Sequence, residues 1–489
     1  MHSNPSSMEQ TAIAELNSTF ISGATRTLQW RETQLKSLLR LLTEKEADCF
    51  HALNQDLGKS KLEAFKDEVG PLKKSIDYTL THLKGWMSPK KAGINLLFFP
   101  AKGKTMPEPY GVVLVIAAWN LPLNLALEPV IGAIAAGNAV VLTSSELAPA
   151  TSSVLAELIP QFLDSKAIKV VEGGVDVSQQ LLQRKWDKIF YTGSARVGKL
   201  ILAESAKHLT PVALELGGKS PAIFDFQSLS SNVEVAVKRV ASGKWGTLVG
   251  QACLAIDYLL VEEKFASALI DLLKKTIKKF YGESLNKFSR VASKCQLDRL
   301  QKLLKDPAVA DTIVYGGSVD EEALILEPTI LLNPPLDAEV MTEEIFGPIL
   351  PIITLNNISD SIGFINSRPK PLVIYGFTDN KTLKRSILNG TSSGGVLFND
   401  VLLHFLCDEL PFGGVGSSGM GRYHGKYSFD TFSHEKAVLD AGYLVELEAR
   451  YPPWNSFKMA FVRTAYKLDY IGLLLLLIGL KRYPKVHKD

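Results

Sequence analysis

The chain has 489 residues, enough for about three average domains or two large ones, and it can bury a core without disulfide or metal staples. Hydrophobic residues make up 46% and charged residues 21%, while 54 Lys and Arg against 51 Asp and Glu leave a net charge of +3. That balance excludes a nucleic-acid footprint and an acidic or basic tail. The four cysteines, Cys49, Cys253, Cys295 and Cys407, lie far apart, which excludes a disulfide scaffold and a zinc ribbon. No H-E-x-x-H helix occurs among the eight histidines, so no metal is expected. Met1–Gln10 is polar and has no signal-peptide core, so free thiols in a reducing, cytoplasmic compartment are expected.

In chain order, Met8 to Leu57 reads as helix, with Leu35, Leu38, Leu39, Leu41 and Leu42 at helical spacing. Between Gly111 and Gly217, short Val- and Ile-rich runs (Val112–Ala117, Ala139–Leu142, Ile168–Val171, Ile189–Tyr191, Val212–Leu214) alternate with helical stretches (Ala126–Ala136, Thr151–Phe162, Val177–Trp186, Val197–His208). Such alternation predicts a parallel sheet covered on both faces, which takes ligands at the carboxyl ends of its strands. A second series follows from Ser220 to Asn399, with strands at Ala222–Phe224, Leu254–Val261, Ile313–Tyr315, Ile349–Leu355, Val373–Phe377 and Val396–Asn399. Asn95–Pro109 and the chain after Tyr427 fit neither series and read as extensions that pair with another subunit or simply connect.

Four places at strand ends carry groups with chemistry. Gly193-Ser194-Ala195-Arg196-Val197-Gly198 follows a strand and opens a helix, whose free N–H groups and positive end suit a phosphate. The next residues nearly complete a nucleoside triphosphatase loop, but Leu200 lacks the hydroxyl for Mg²⁺, so a dinucleotide is the better ligand. Gly250-Gln251-Ala252-Cys253 places a thiol among small neighbours, open to a substrate. Cys49 and Cys295 read as small buried hydrophobes, and Cys407 is undecided. Glu215 lies inside an apolar strand ending in Gly217-Gly218-Lys219-Ser220, either paired structurally or tuned as a base. Asn120, in Trp119-Asn120-Leu121-Pro122, either caps the next helix or offers its amide to a developing oxyanion. Together a thiol, a carboxylate, an amide donor and a dinucleotide loop suit one reaction: thiolate attack on an aldehyde, oxidation to a thioester, and hydrolysis by carboxylate-activated water.

With these motifs, and with Glu108-Pro109-Tyr110-Gly111-Val112-Val113, Tyr191-Thr192-Gly193-Ser194, Glu343-Glu344-Ile345-Phe346-Gly347-Pro348 and Pro411-Phe412-Gly413-Gly414-Val415-Gly416, the chain resembles the aldehyde dehydrogenase superfamily. The likeness runs from Phe20 to Pro453 and points to the class 3 branch that includes fatty aldehyde dehydrogenases. It implies two Rossmann-like α/β domains with a small β oligomerisation arm: 1–80 and 107–213 for the dinucleotide, 214–410 for catalysis, 81–106 and 411–445 as the arm, and 446–489 as a C-terminal tail. It implies Cys253 as nucleophile, Glu215 as base for thioester hydrolysis, and the Asn120 amide with the Cys253 N–H as oxyanion hole. The cofactor pyrophosphate would lie near Gly193 to Gly198, with Trp119 at the cofactor side, Glu344 on the nicotinamide ribose, Phe346 beside the ring and Glu146 on the adenosine ribose. The cofactor implied is NAD. Asn95–Pro109 and a strand near Phe429–Leu439 would build a homodimer.

Three segments depart from the family pattern. Thr143 replaces the usual lysine of Lys-Pro-Ser-Glu, which leaves NADP open as a cofactor. Val249 stands where Asn or Ser is common. Leu121-Pro122-Leu123 replaces Tyr-Pro-Phe, an aliphatic wall that favours aliphatic or medium-chain aldehydes. Cys253 needs help to ionise from a thiol pKa of ~8.5, and Lys244, the closest cation in sequence, reads as solvated. At the end of the chain, Tyr470 to Leu480 forms an apolar run followed by Lys481 and Arg482, with Lys485 and Lys488 beyond. As helix it reaches only about 17 Å against a bilayer core of ~30 Å, so it does not span. It is read as a helix over the substrate entrance, a peripheral dip into an endoplasmic-reticulum or other cytosol-facing membrane, or a dimer contact. Thioester acyl transfer without redox, and a non-catalytic binding protein on the same scaffold, are the alternative functions.

Overall fold

The computed structural model describes residues 5–246, 248–282, 289–443 and 445–483. The chain forms two compact units: Met1–Trp86 with Pro109–His434, and Met87–Glu108 with Glu435–Asp489. The expected long N-terminal helix is three helices, Pro5–Ile21, Leu28–Glu44 and Glu46–Leu57. Gly23, at φ 81°, breaks the first, and the Thr27 side chain caps the second by accepting from the Trp30 N–H. Leu35, Leu38, Leu41 and Leu42 are buried, as their spacing requires.

Two sheets organise the larger unit. In the first, the order is Gly419–Met420, Val212–Leu216, Lys188–Gly193, Val112–Ile116, Ala139–Thr143 and Ile168–Val171. The last five are mutually parallel, and the short Gly419–Met420 strand runs antiparallel against Glu215 and Leu214. Val112, Leu114, Val141, Ile189, Leu214 and Leu216 share one core with Trp186 and Ile201 from the covering segments. The second sheet runs Ile313–Tyr315, Thr329–Leu332, Ile349–Leu355, Tyr258–Glu262, Pro221–Phe224, Val373–Phe377 and Gly395–Phe398, parallel except at the first edge. Thr329–Leu332 and Gly419–Met420 escape a search for alternation because they are short and flanked by turns. The predicted strand at Leu254–Val261 begins only at Tyr258, since the segment before it turns around the cysteine.

The smaller unit holds a three-stranded sheet in the order Lys90–Ala92, Lys102–Pro109 and Ser433–Asp440, tied by an ion pair between Lys436 and Glu108 at 2.8 Å. Phe429 belongs to the helix Gly425–Thr431, not to this strand. Ala449, Phe461, Ala465 and Leu473 form a small separate core with Leu97 and Leu447. The terminal apolar run is helical only over Tyr470–Leu477, because Gly479 turns left-handed at φ 79°. Asp469 caps it through the Gly472 N–H at 2.7 Å and pairs with Lys481 at 2.9 Å. Gly472, Leu473 and Leu476 are buried, whereas Ile471, Leu474 and Leu477 are exposed. No helix among the described residues is long and apolar enough to cross a membrane. Lys485 and Lys488 lie outside the described residues.

Candidate active site

Glu215 occupies the second-to-last position of the strand Val212–Leu216, level with Thr192 on one neighbour and Gly419 on the other. Its side chain is 3% exposed, and neither carboxyl oxygen has a hydrogen-bond partner among the described residues. Gly413 packs so closely that a Cβ there would lie 3.2 Å from Glu215 Oε1. Burial without compensation holds this carboxyl well above the usual carboxylate range.

Cys253 sits in the turn that leads into the strand Tyr258–Glu262. The approach is strained: Leu248, Val249 and Gly250 all take left-handed φ, at 55°, 51° and 76°. Gly250 must be glycine, because a Cβ would lie 2.3 Å from the Gly347 carbonyl oxygen. Val249 is β-branched and adopts this conformation at a cost that Asn, tolerant of the region, would reduce. Burial raises the Cys253 thiol pKa, and the Glu344 and Glu215 carboxylates raise it further, so the three groups form one electrostatic cluster. Backbone N–H groups of Cys253 and Leu254 work in the opposite direction. The Tyr375 hydroxyl donates to the Leu254 carbonyl at 2.6 Å, which anchors the cysteine turn to the second sheet.

Asn120 is buried in the turn after the strand Val112–Ile116. It does not cap the following helix, Asn124–Ala136, whose N-cap position is Leu123. Trp119 and Asn120 share the wall of one small cavity with Leu248 and Gln251, which sets this turn beside the cysteine turn. Trp119 also meets Phe346 edge to face, with centroids 5.3 Å apart.

Phe346 is itself left-handed at φ 50°. The segment before it is clamped by Lys219, which pairs with Asp257 and donates to the carbonyls of Val340 at 2.8 Å and Glu343 at 3.0 Å. Asp257 in turn accepts from the Ile345 N–H at 3.0 Å. Glu344 lies against the glycine turn, where a Cβ on Gly217 would fall 2.3 Å from its Oε2. Burial and the nearby Asp257 raise its pKa to about 8.

Gly193 to Gly198 lie at the carboxyl end of the strand Lys188–Gly193 and the start of the helix Ala195–Ala206. Ser194 is the N-cap, accepting from the Val197 N–H, and Ser194 and Arg196 are exposed. Gly198 permits close packing, since a Cβ would meet Leu216 Cδ2 at 3.0 Å. The hydroxyls of Thr143, Ser144 and Thr192, buried at the ends of the two strands that flank Val112–Ile116, have no partner among the described residues. Orphaned hydroxyls beside an open helix N-terminus fit a dinucleotide with its phosphates and ribose hydroxyls. Glu146 is exposed two residues beyond Ser144.

Two sequence expectations are corrected. Lys244 is not solvated. It lies in a π-helical turn, Ser242–Gly246, at 0% exposure, with its ammonium unpartnered among the described residues and its pKa lowered by burial to about 8. Cys295 is exposed, not buried, because its helix presents that face outward. Cys49 is buried, with its thiol pushed up to about 12, and Cys407 is partly buried.

The sequence reading missed an aromatic group next to the thiol and carboxylate. Tyr375 and Tyr423 are fully buried, and both are electrostatically coupled to Cys253. Phe412, His404 and His424 pack with them, with Phe412 5.7 Å from Tyr423 and His424 4.3 Å from Tyr423. Burial lowers the pKa of His404 to about 4 and of His424 to about 3, so both rings are neutral. The Phe412-Gly413-Gly414 motif was the available signal, since glycines there admit Glu215.

The sequence profile of the aldehyde dehydrogenase family matches residues 6–438. The chain is 55% identical over 474 residues to aldehyde dehydrogenase family 3 member F1 of Arabidopsis thaliana, covering 96% of this chain and 98% of that protein. Among solved structures, AldH of Staphylococcus aureus in a substrate-bound state matches with a TM-score of 0.89 and 40% identity, over 94% of this chain and 99% of that one. An NAD-dependent aldehyde dehydrogenase from Sinorhizobium meliloti matches with a TM-score of 0.79 and 26% identity, over 91% and 88%.

Proposed function

The chain belongs to the aldehyde dehydrogenase family, and from that premise we propose that Cys253, Glu215 and Asn120 carry its catalysis. The protein is an NAD(P)-dependent aldehyde dehydrogenase that converts aldehydes to carboxylic acids; neither acyl transfer without redox nor a purely binding role is supported. The observation that carries the assignment of residues is the buried Glu215 carboxyl, left without a hydrogen-bond partner among the described residues and near enough to the Cys253 thiol to act on it electrostatically.

The Cys253 thiolate attacks the aldehyde carbonyl, and the new alkoxide accepts hydrogen bonds from the Asn120 amide and the Cys253 N–H. When bound, NAD(P)⁺ supplies a positive ring charge and the two-electron acceptor that turns this thiohemiacetal into a thioester. Glu215, once ionised, takes a proton from water, which attacks the thioester carbonyl. The second tetrahedral intermediate uses the same two donors and collapses to the carboxylic acid and the Cys253 thiolate. Residues Gly193, Ser194, Ala195, Arg196, Val197 and Gly198 would hold the pyrophosphate, Glu344 and Glu146 the two riboses, and Trp119 with Phe346 the nicotinamide. Thr143 in place of a lysine removes a ribose contact as well as a positive charge, so the choice between NAD and NADP falls to Glu146, whose carboxylate would face a 2′-phosphate and favours NAD. A panel of medium-chain aliphatic and small aromatic aldehydes, run with NAD and then NADP, tests this reading. Reduced nicotinamide should form with both cofactors and fastest with the aliphatic aldehydes, because Leu121 and Leu123 replace aromatic residues. Silence with either cofactor across the panel would refute it.

Homodimerisation through the strand Ser433–Asp440 and peripheral membrane contact through Ile471, Leu474 and Leu477, with Arg482 nearby, complete the proposal. The exposed edge of the small sheet and the exposed apolar face of the terminal helix support them. Sedimentation and flotation with anionic vesicles of the full chain and of an Ile471→Asp/Leu474→Asp variant test both. Both proteins should sediment as dimers, and only the full apolar face should float. A monomer, or equal flotation of the two, would remove the corresponding part.

A further inference from the structure

Glu68 is 0% exposed, yet it is a charged residue with no place in the chemistry described above. It sits in a π-helical turn, Phe65–Val69, directly after the short helix Lys61–Ala64. That wide turn relies on Gly70, where a Cβ would lie 2.9 Å from the Phe65 carbonyl oxygen. One carboxylate oxygen of Glu68 binds the ammonium of Lys59, itself 3% exposed. The other accepts from two backbone amides, the Leu123 N–H at 2.8 Å and the Asn124 N–H at 3.1 Å.

Those two amides open the helix Asn124–Ala136, whose own N-cap residue, Leu123, has no side chain able to cap it. A local Ser, Asp or Asn would satisfy the same donors, so the need met by Glu68 is not helix formation alone. What a distant carboxylate adds is a fixed position. The turn from Trp119 to Leu123 is held at its start by the Ala117 N–H, which donates to the Thr143 carbonyl at 3.0 Å, and at its end by Glu68. Asn120 lies between these anchors. A buried ion pair is weak evidence for stability in itself, since apolar residues of similar volume often serve as well. Its value here is geometric.

The geometry points to Glu68, held by Lys59, as a positioning residue that sets the Asn120 amide against the developing alkoxide on Cys253. This rests on the reading of Asn120 as an oxyanion donor, and the sequence pattern marked out neither Glu68 nor Lys59. A donor that acts only in the transition state must be placed to a fraction of an ångström, and misplacement by about 1 Å costs on the order of 10²-fold.

The test is a double-mutant cycle on the full-length protein, with aldehyde and NAD as probes. Glu68→Gln keeps an acceptor oxygen but breaks the ion pair; it should lower kcat by about 10- to 100-fold while the aldehyde KM stays within about twofold. Asn120→Ala should lower kcat by about 10²- to 10³-fold. In the double variant, Glu68→Gln should cost less than about twofold beyond Asn120→Ala, because the group it positions is gone. Should Glu68→Gln not fold, Lys59→Gln is read in the same cycle, with a smaller loss of kcat that also vanishes in the Asn120→Ala background. Equal losses with and without Asn120, or no loss in kcat, overturn the inference and leave Asn120 in place. Full kcat in Asn120→Ala alone removes the oxyanion reading and this inference with it.

Discussion

Glu215→Gln is expected to release about one equivalent of reduced nicotinamide per site in a burst and then turn over about 10²- to 10⁴-fold more slowly than the wild type. Gln cannot take a proton from water, so the thioester on Cys253 accumulates after the oxidative step. The same substitution should change stability with a defined sign. Below the ordinary carboxylate range, near pH 4.3, Glu215 is protonated in both the folded and unfolded chains, and Gln behaves as Glu does. Above it, the unfolded chain releases a proton that the folded chain keeps, because burial without a partner holds the folded carboxyl well above its usual range. The wild type then loses about 1.4 kcal/mol per pH unit from this residue as pH rises toward the folded value, while Gln loses none. Denaturant unfolding of the two proteins at pH 5, 6 and 7 should diverge, with Glu215→Gln increasingly the more stable. Parallel curves would refute a neutral buried carboxyl, and the absence of a burst would refute its role as base.

Cys253→Ala is expected to lower aldehyde oxidation by about 10⁴- to 10⁶-fold, the scale of losing a nucleophile. Cys49→Ala, Cys295→Ser and Cys407→Ser should keep kcat within about threefold. Cys49 is buried on one helix and Cys295 is exposed on another, while the Cys407 thiol donates to a backbone carbonyl, that of Leu403, at 3.5 Å. Because burial holds the Cys253 thiol protonated, its alkylation by iodoacetamide should be slow in the free protein and faster when oxidised cofactor is present. Activity retained in Cys253→Ala, or lost in one of the other three, would move the nucleophile elsewhere.

Much of the architecture is legible from local pattern. Short Val- and Ile-rich runs between helices predict parallel strands, and Val112–Ile116, Ala139–Thr143, Ile168–Val171, Val373–Phe377 and Ile349–Leu355 lie where those runs fall. Thr329–Leu332 and Gly419–Met420 were not legible, because a short strand is defined by its neighbours and not by its own residues. The N-terminal segment shows a similar limit. Leucine spacing reports helix, but Gly23 and the Thr27 cap divide it, and those are single-residue signals inside a strong periodic one.

By itself, the sequence determined which chemical groups are available: a thiol after a glycine turn, a carboxylate in an apolar strand, an amide at a strand end, and a glycine-bounded helix start. Only the tertiary structure decided their state and company. Lys244 carries a charge and looks solvated in sequence, yet its helix packs it at 0% exposure. Asn120 looks like a cap, yet the cap comes from Glu68, more than fifty residues earlier in the chain. His404, Tyr375 and the Tyr423-His424 pair pack together from three segments, and the two tyrosines couple to the thiol. Burial and long-range pairing are properties of packed surfaces, and a linear pattern records only the residue's own face of each contact.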